Sequence, residues 1–221
     1  MKETKIDWCD CTINPVVGCK GNCEWCYANK LNDRFHFVSD FHDPQFFPER
    51  LEELKSKKPK AIFMDSMSDV GYWHDEWVLK TREAMENNMQ HKYIFLSKRY
   101  TGRLAIRSML GGHCYFGISI TNERQAFSYS TYREPADFLS VEPILEPIRL
   151  VNDECNTKVK LIIIGAETGN RKGKVIPKKA WIEDIVAFCD KWQIKVFMKE
   201  SLRKIMGADF RQDKLLWEIE K

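Results

Sequence analysis

The chain has 221 residues, of which 43% are hydrophobic and 30% are charged, so we expect an ordinary soluble globular protein with a sizeable core. This composition excludes the disordered and fibrous classes. The 35 Lys and Arg residues against 32 Asp and Glu residues leave a net charge of +3, which is too small to indicate a nucleic-acid partner by itself.

The sequence carries no signal for a membrane or for secretion. No apolar run approaches the roughly 18 residues that a membrane helix needs, and the N-terminal segment MKETKIDWCDC lacks the apolar core of a signal peptide. Five of the eight cysteines fall within residues 9–26, which does not fit a secreted disulfide scaffold. We therefore expect a cytoplasmic location, where thiols stay free for metals or chemistry, and no membrane partner.

Short apolar or aromatic runs alternate with amphipathic stretches, a pattern typical of βα units around a parallel sheet. In the first half, the predicted elements are an extended segment at 5–17, a helix starting at 27–34, an irregular loop at 35–47, a helix at 51–57, a strand at 61–65, a helix at 74–91, a strand at 93–97 and a helix at 102–110. In the second half, they are a strand at 115–120, a short helix near 123–128, strands at 136–141 and 161–165, a helix at 177–192, a strand at 195–198 and a helical tail from about 200 to 221.

These six or seven strands predict the α/β class. A full eight-stranded barrel typically needs about 250 residues, so the length favours six or so βα units. We predict one domain over residues 1–221, built as a partial, open (β/α)6-type barrel with parallel strands.

Polar side chains directly follow most of the predicted strands, and the carboxyl ends of parallel strands are where α/β folds carry their chemistry. One such residue alone is more often a turn or a helix cap, so the repeated placement is what matters. The residues are Ser66, Ser68, Asp69, Lys98, Thr121, Asn122, Glu123, Glu142, Glu167 and Lys199.

The most informative segment is the cysteine loop at residues 18–28, in which Cys19, Cys23 and Cys26 are spaced C-x3-C-x2-C. Three thiolates can hold three irons of a cubane, whereas a protein-saturated [4Fe–4S] cluster needs four, so one iron would stay open. The alternatives are a disulfide, packing cysteines, or a zinc site completed by Cys9 or Cys11.

This spacing, with an aromatic residue just before the last cysteine, resembles the cluster motif of the radical S-adenosylmethionine (SAM) superfamily. Over roughly residues 6–200 the chain also resembles the phage gene product 37/68 family, a three-Cys-motif group. The matching segments are Trp8, Asp10, Thr12, Asn14, Pro15, and residues 18–19, 23–28, 65–69, 96–99, 117–119, 139–143, 165–169 and 196–199. The chain departs from this family in two places. The first two cysteines of its motif have the standard superfamily spacing, where many relatives have a longer insert, and it reads Phe197-Met198-Lys199-Glu200 where the family usually has a Phe-Lys-Gln-Trp-like run, so no role is carried over for Glu200.

The resemblance implies an enzyme that holds a [4Fe–4S] cluster on Cys19, Cys23 and Cys26, cleaves SAM to a 5′-deoxyadenosyl radical, and takes its electron from a donor such as flavodoxin or ferredoxin. The implied SAM-binding residues are Trp25, Tyr27, Ser66, Ser68, Asp69, Lys98, Ser119, Asn122 and Glu123. Glu142, Glu167 and Lys199 are the implied catalytic positions, which would bind substrate or the SAM carboxylate. Lys98 and Lys199 have an alternative interpretation as partners of a neighbouring carboxylate.

Basic residues cluster in three segments after late strands, at 98–107, 171–179 and 199–204. They favour a nucleotide or nucleic-acid substrate, although an ordinary solvated surface would look the same. Two glycines make residues 169–174 a predicted mobile loop. The phosphate-loop order G-x-x-x-x-G-K-[ST] is absent there, which argues against an ATPase.

Two functions from other classes stay open. One is a zinc- or cluster-bearing nucleic-acid-binding module without catalysis, and the other is a degenerate, non-catalytic partner of another protein. The repeated polar strand ends count against both, because a module that only binds would not need so many.

Overall fold

The computed structural model describes residues 4–99, 103–132, 136–151 and 159–219, without the side chains of 103, 104 and 130–132. It divides into two compact units. Unit 1 is Met1–Phe116 with Ile219–Lys221, and unit 2 is Gly117–Glu218. Each is described by itself, and the single domain predicted for the whole chain stays a prediction.

The described strands are β1 (Cys11–Thr12), β2 (Val16–Val17), β3 (Gln45–Phe46), β4 (Ala61–Phe63), β5 (Lys92–Ser97), β6 (Cys114–Ser119), β7 (Phe138–Val141), β8 (Leu161–Ile164) and β9 (Lys195–Met198). The α-helices are α1 (Tyr27–Phe35), α2 (Asp75–Glu86), α3 (Arg103–Leu110), α4 (Glu123–Tyr132), α5 (Lys179–Lys191) and α6 (Arg203–Met206). Short 3-10 helices cover Pro48–Lys55, Val70–Tyr72, Glu200–Leu202 and Gly207–Asp209.

The main sheet has the order β1-β4-β5-β6-β7-β8-β9, with β1 and β9 at its two edges. In unit 1, β4 pairs in parallel with β1 and β5. In unit 2, β7 pairs in parallel with β6 and β8, and β8 with β9. The α/β class with an open sheet of parallel strands is therefore confirmed, with seven strands. No helix among the described residues is long and apolar enough to cross a membrane.

The apolar runs predicted as strands are buried because helices and loops cover both faces of a parallel sheet. All of β4, β7 and β8 is buried, including Ile62, Leu139 and Ile163 at 0–2% exposure. Strands buried on both faces do not alternate between apolar and polar residues, so they can be predicted only from the length of the apolar run and its β-branched residues.

Three predicted segments differ from the structure. The loop at 35–47 contains β3, which pairs antiparallel with β2 over only two residues. The helix at 51–57 is a 3-10 helix that begins at Pro48. The helix at 74–91 ends at Glu86, where the Asn88 side-chain amide donates to the Ala84 carbonyl at 2.8 Å.

The C-terminal tail is helical only as far as Asp209: Gly207 (φ 58°) ends α6, and the short 3-10 helix that follows ends at Asp209. The next residues run antiparallel to β9: Met198 N–H donates to Arg211 O at 2.9 Å, and Asp213 N–H donates to Val196 O at 2.8 Å. This pairing covers an edge that would otherwise expose unpaired backbone groups.

Candidate functional site

The cysteine loop begins in unit 1 at Gly18, directly after β2. Gly18 N–H donates to Met67 O at 3.0 Å, and Cys19 N–H donates to Phe41 O at 2.7 Å. Gly18 has φ 107°, and a Cβ there would lie 2.9 Å from both Phe41 O and Pro44 Cα. Only glycine fits this close approach, which fixes where the first cysteine leaves the strand.

The loop carries three half-exposed free thiols, Cys19, Cys23 and Cys26. Gly21 N–H donates to Cys19 Sγ at 3.3 Å, and Asn29 N–H donates to Cys26 Sγ at 3.4 Å. Cys26 is also the N-cap of α1, so its sulfur lies at the positive end of the helix. Both sulfurs therefore accept hydrogen bonds from backbone N–H groups, as metal-bound thiolates do in iron–sulfur sites.

Burial disfavours the thiolate form of two of these thiols. It raises the pKa of Cys19 to about 12, with Asp69 adding to the rise. It also raises the pKa of Cys23, although the nearby Lys98 charge opposes the rise. A nucleophilic or redox-active cysteine needs a lowered pKa. These thiols therefore suit ligation by a metal that displaces their protons.

The chemistry of the donor set, three thiols on one loop, is compatible with an iron–sulfur cubane. Among the described residues, no three His, Cys, Asp or Glu side chains are placed to hold one metal ion, as a zinc site needs. A cubane gives each thiolate a different iron, so the sulfurs need not converge on one point. The buried indole N–H of Trp25 has no hydrogen-bond partner in the part of the chain that the structure describes, and it is a suitable donor to sulfur.

Asn14 links the first strand to the loop after β4. Its side-chain oxygen accepts from Ser66 Oγ at 3.0 Å and from Met67 N–H at 2.9 Å. Tyr27, on the first turn of α1, donates to Ser66 O at 2.5 Å. Ser66 and Tyr27, both predicted SAM residues, are thus brought together. No role was predicted for Asn14, although it is one of the residues that carry the family resemblance.

Asp69 is built into the same loop, at 6% exposure. Its carboxylate accepts from Gly71 N–H at 2.8 Å, Ser97 Oγ at 2.7 Å and Lys98 N–H at 2.8 Å. Ser68 accepts from the indole N–H of Trp73 at 3.0 Å. Asp69 therefore anchors the end of β5.

Lys98 is half-buried next to this anchor. Its charge acts on Cys23, and its ammonium makes no ion pair with a residue that the structure describes. The same charge opposes the rise that burial causes in the pKa of the Asp65 carboxyl, so both interpretations of Lys98, as a SAM-binding residue and as the partner of a carboxylate, stay predictions.

In unit 2, Lys199 does pair with a carboxylate. Its ammonium donates to Glu142, and the two side chains are 17% and 22% exposed. A Cβ at Gly165 would lie 3.0 Å from Lys199 Cδ and 3.1 Å from Glu142 Cδ. The ion pair thus crosses the end of β8 directly over a residue that has no side chain.

Glu167 also has a partner. Its side chain is 3% exposed and accepts two hydrogen bonds from the Arg171 guanidinium. Nε donates to Oε1 at 2.6 Å, and Nη2 donates to Oε2 at 2.8 Å. Val175 N–H donates to the same carboxylate at 3.3 Å. Gly169 and Gly173 have φ values of 84° and 76°, so they form turns in the segment that was predicted to be mobile.

Asn122 caps α4, and Glu123 is the first residue of that helix. The Asn122 side chain accepts from Gln125 N–H at 2.9 Å, and Gln125 in turn accepts from Thr121 N–H at 2.5 Å, a reciprocal capping arrangement. Glu123 accepts from Arg149 N–H at 2.6 Å. The Asn122 contact is local, whereas Glu123 bonds a residue far along the chain, and the predicted SAM roles of both residues stay predictions.

Ser119 and its register partner on the next strand, Ser140, are fully buried, and neither hydroxyl has a hydrogen-bond partner within the described residues. We expect Ser119→Ala and Ser140→Ala to leave the free energy of unfolding unchanged or to raise it by up to about 1 kcal/mol, because each removes an unpaired buried hydroxyl. Urea denaturation measures this. Thr121→Val is the control and should lose about 1 kcal/mol, since its hydroxyl donates to Gln125 at 2.8 Å. A clear loss in Ser119→Ala would contradict the expectation.

Two solved structures similar to the chain are both of spore photoproduct lyase. One is a double-substitution variant with bound AdoMet and a dinucleoside spore photoproduct, and the other is a single-substitution variant. Each has a TM-score of 0.46 and 12% sequence identity and covers 96% of this chain. The chain spans 64% of the length of each lyase.

No curated protein matches the chain. A family model does match, over residues 3–208, and it is described as "Protein of unknown function (DUF5131)". Because this match covers most of the 221 residues, the chain belongs to the DUF5131 family.

Proposed function

We propose that the chain is a radical SAM enzyme. The observation that carries the proposal is the cysteine loop: three free thiols spaced C-x3-C-x2-C, two of them hydrogen-bonded by backbone N–H groups. Gly18 N–H ties the loop to Met67, just after β4. Half-exposed thiols on one short loop leave room for a ligand on a cluster that they hold.

When bound, a [4Fe–4S] cluster with one open iron supplies the electron that cleaves SAM to methionine and a 5′-deoxyadenosyl radical. Cys19, Cys23 and Cys26 would hold it. Trp25 would donate its indole N–H to a sulfur, and Lys98 would offset the negative charge near Cys23. Both contacts favour the more reduced, more negative state.

Other unit 1 residues would position SAM. Tyr27 fixes the Ser66 backbone, and the Ser66 and Ser68 hydroxyls lie on the loop proposed to receive the SAM ammonium. Lys98 suits the SAM carboxylate because its ammonium is half-buried and lies close enough to Cys23 for its charge to act on that thiol. Asp69 would act through its hydrogen bond to the Lys98 backbone, as a positioning residue.

For unit 2 we propose SAM roles for Ser119, Asn122 and Glu123, and substrate roles for Glu142, Glu167 and Lys199. Lys199 already forms an ion pair with Glu142, and Arg171 forms one with Glu167. A substrate that binds here would have to share or exchange these contacts.

The test is to purify the chain without oxygen, reconstitute it with iron and sulfide, and assay 5′-deoxyadenosine after reduction with dithionite. We expect about four irons per chain and SAM cleavage. Stoichiometric zinc without SAM binding would establish the zinc-bearing module instead. A cluster that never cleaves SAM would favour the non-catalytic partner.

We further propose a nucleotide or nucleic-acid substrate. The supporting observation is the basic loop of unit 2, in which Lys172 and Lys174 are exposed while Arg171 is engaged by Glu167. Exposed lysines can reach phosphates, whereas removing Arg171 would leave a buried carboxylate unpaired and disturb the fold.

Lys172→Gln combined with Lys174→Gln should weaken nucleic-acid binding at every sequence and flatten its dependence on salt, by a slope of up to about 2. Fluorescence anisotropy with a labelled oligonucleotide at several salt concentrations measures both. The matched control is Lys160→Gln with Lys195→Gln, two exposed lysines just before β8 and at the start of β9. Equal losses in the two double variants would show a general charge effect, and no binding by the wild type would end the proposal.

A further inference from the structure

Helix α1 exposes a row of large apolar side chains. Tyr27, Leu31 and Phe35 are spaced four residues apart, which places them on one helix face, and they are 50%, 37% and 53% exposed. We call these three residues the α1 stripe. The ring of Phe37, which is also exposed, lies 5.7 Å from that of Phe35. A contiguous apolar patch of this kind marks an interaction surface more often than scattered exposed residues do.

A basic edge runs alongside the stripe. Lys30 and Arg34 are both exposed, and they follow Tyr27 by three and seven residues, next to the stripe on the helix surface. The Arg34 guanidinium lies 5.0 Å from the centre of the Phe35 ring. Asp33 lies beyond this edge, away from the stripe. An apolar centre with a basic rim complements a partner that has apolar residues within an acidic surface.

The stripe also lies close to the proposed cluster. Cys26 is the N-cap of α1, and Tyr27 is the first residue of the helix. At 1.5 Å per residue, the stripe reaches only about 12 Å along the helix from its first residue. A protein seated on it would bring a redox group near the cysteine loop.

We infer that the α1 stripe and its basic edge are the docking site for an acidic electron-transfer protein that reduces the cluster. This inference rests on the proposed function, because it needs a cluster on the cysteine loop. A second copy of the chain is the poorer occupant, since a two-fold contact with the two α1 helices antiparallel would bring Lys30 and Arg34 of both copies together.

Anaerobic stopped-flow measurement tests the inference on the reconstituted chain, with reduced flavodoxin as the probe and bleaching of cluster absorbance as the signal. Leu31→Asp and Phe35→Asp should each slow reduction by flavodoxin about tenfold, and Lys30→Glu with Arg34→Glu should slow it and remove its salt dependence. Reduction by dithionite should be unchanged, because a small reductant needs no docking surface.

Leu79→Asp is the matched control, since Leu79 is an equally exposed apolar residue at 50% on helix α2 of the same unit. Leu31→Ser serves as a milder variant if an aspartate variant fails to fold. Equal flavodoxin rates in the wild type and the stripe variants would overturn the inference. So would a wild type that dithionite reduces and flavodoxin does not, or stripe variants that only turn a dimer into a monomer. A chain that forms no reducible cluster would instead contradict the proposed function.

Discussion

Cys23→Ala is expected to abolish both cluster binding and SAM cleavage in the reconstituted chain. Only Cys19 and Cys26 of the three loop thiols remain in the variant. No other described His, Cys, Asp or Glu side chain is placed to form a metal site with them. Because the cluster supplies the electron that cleaves SAM, we expect SAM cleavage to be lost completely and not in part. Iron and sulfide content, visible absorbance and 5′-deoxyadenosine formation measure the result.

Cys9→Ala is the control for this result. Cys9 is half-exposed and, like Cys23, lies in unit 1, but it is outside the three-cysteine spacing. It should keep the wild-type iron content and SAM cleavage. If Cys9→Ala also loses its metal, the site has a fourth cysteine ligand, which would favour the zinc interpretation and contradict an open iron.

The alternation of strands and helices could be predicted from the sequence, because each buried parallel strand is a short apolar run that is visible in the sequence without knowledge of the fold. β3 could not, since two residues such as Gln45 and Phe46 carry no periodicity and pair only because β2 lies beside them. The tail after Asp209 was predicted to be helical, but its backbone pairs with β9 instead.

The candidate site was predictable only in part. The cysteine spacing is local and needs no fold to be recognised. The partner of a charged residue depends on tertiary placement, and nothing in the sequence distinguishes Lys98, which forms no ion pair with a described residue, from Lys199, which is paired with Glu142. Asn122 caps a helix, which is the more frequent use of polar residues after a strand.

Asp69→Ala should lower the free energy of unfolding of the chain without cluster or SAM by about 3 kcal/mol or more. Hydrogen bonds to a charged group contribute about 1.5–3 kcal/mol each, and they are not additive. The Asp69 carboxylate accepts three, from Gly71, Ser97 and Lys98, all in a buried position. Removing it leaves these donors without an acceptor. Urea denaturation monitored by circular dichroism measures the loss.

Asp75→Ala is the matched control, since Asp75 is an exposed aspartate in the first turn of α2 and should cost no more than about 0.5 kcal/mol. Ser97→Ala, which removes one of the three donors, should cost about 1 kcal/mol. If Asp69 served only to bind SAM, Asp69→Ala would keep its stability and lose SAM affinity alone. Lys98→Gln separates the two roles: it keeps the backbone N–H that Asp69 holds, so it should weaken SAM binding while leaving the stability unchanged. A Lys98→Gln chain as unstable as Asp69→Ala would show that the ammonium, and not the backbone, is what the carboxylate holds in place.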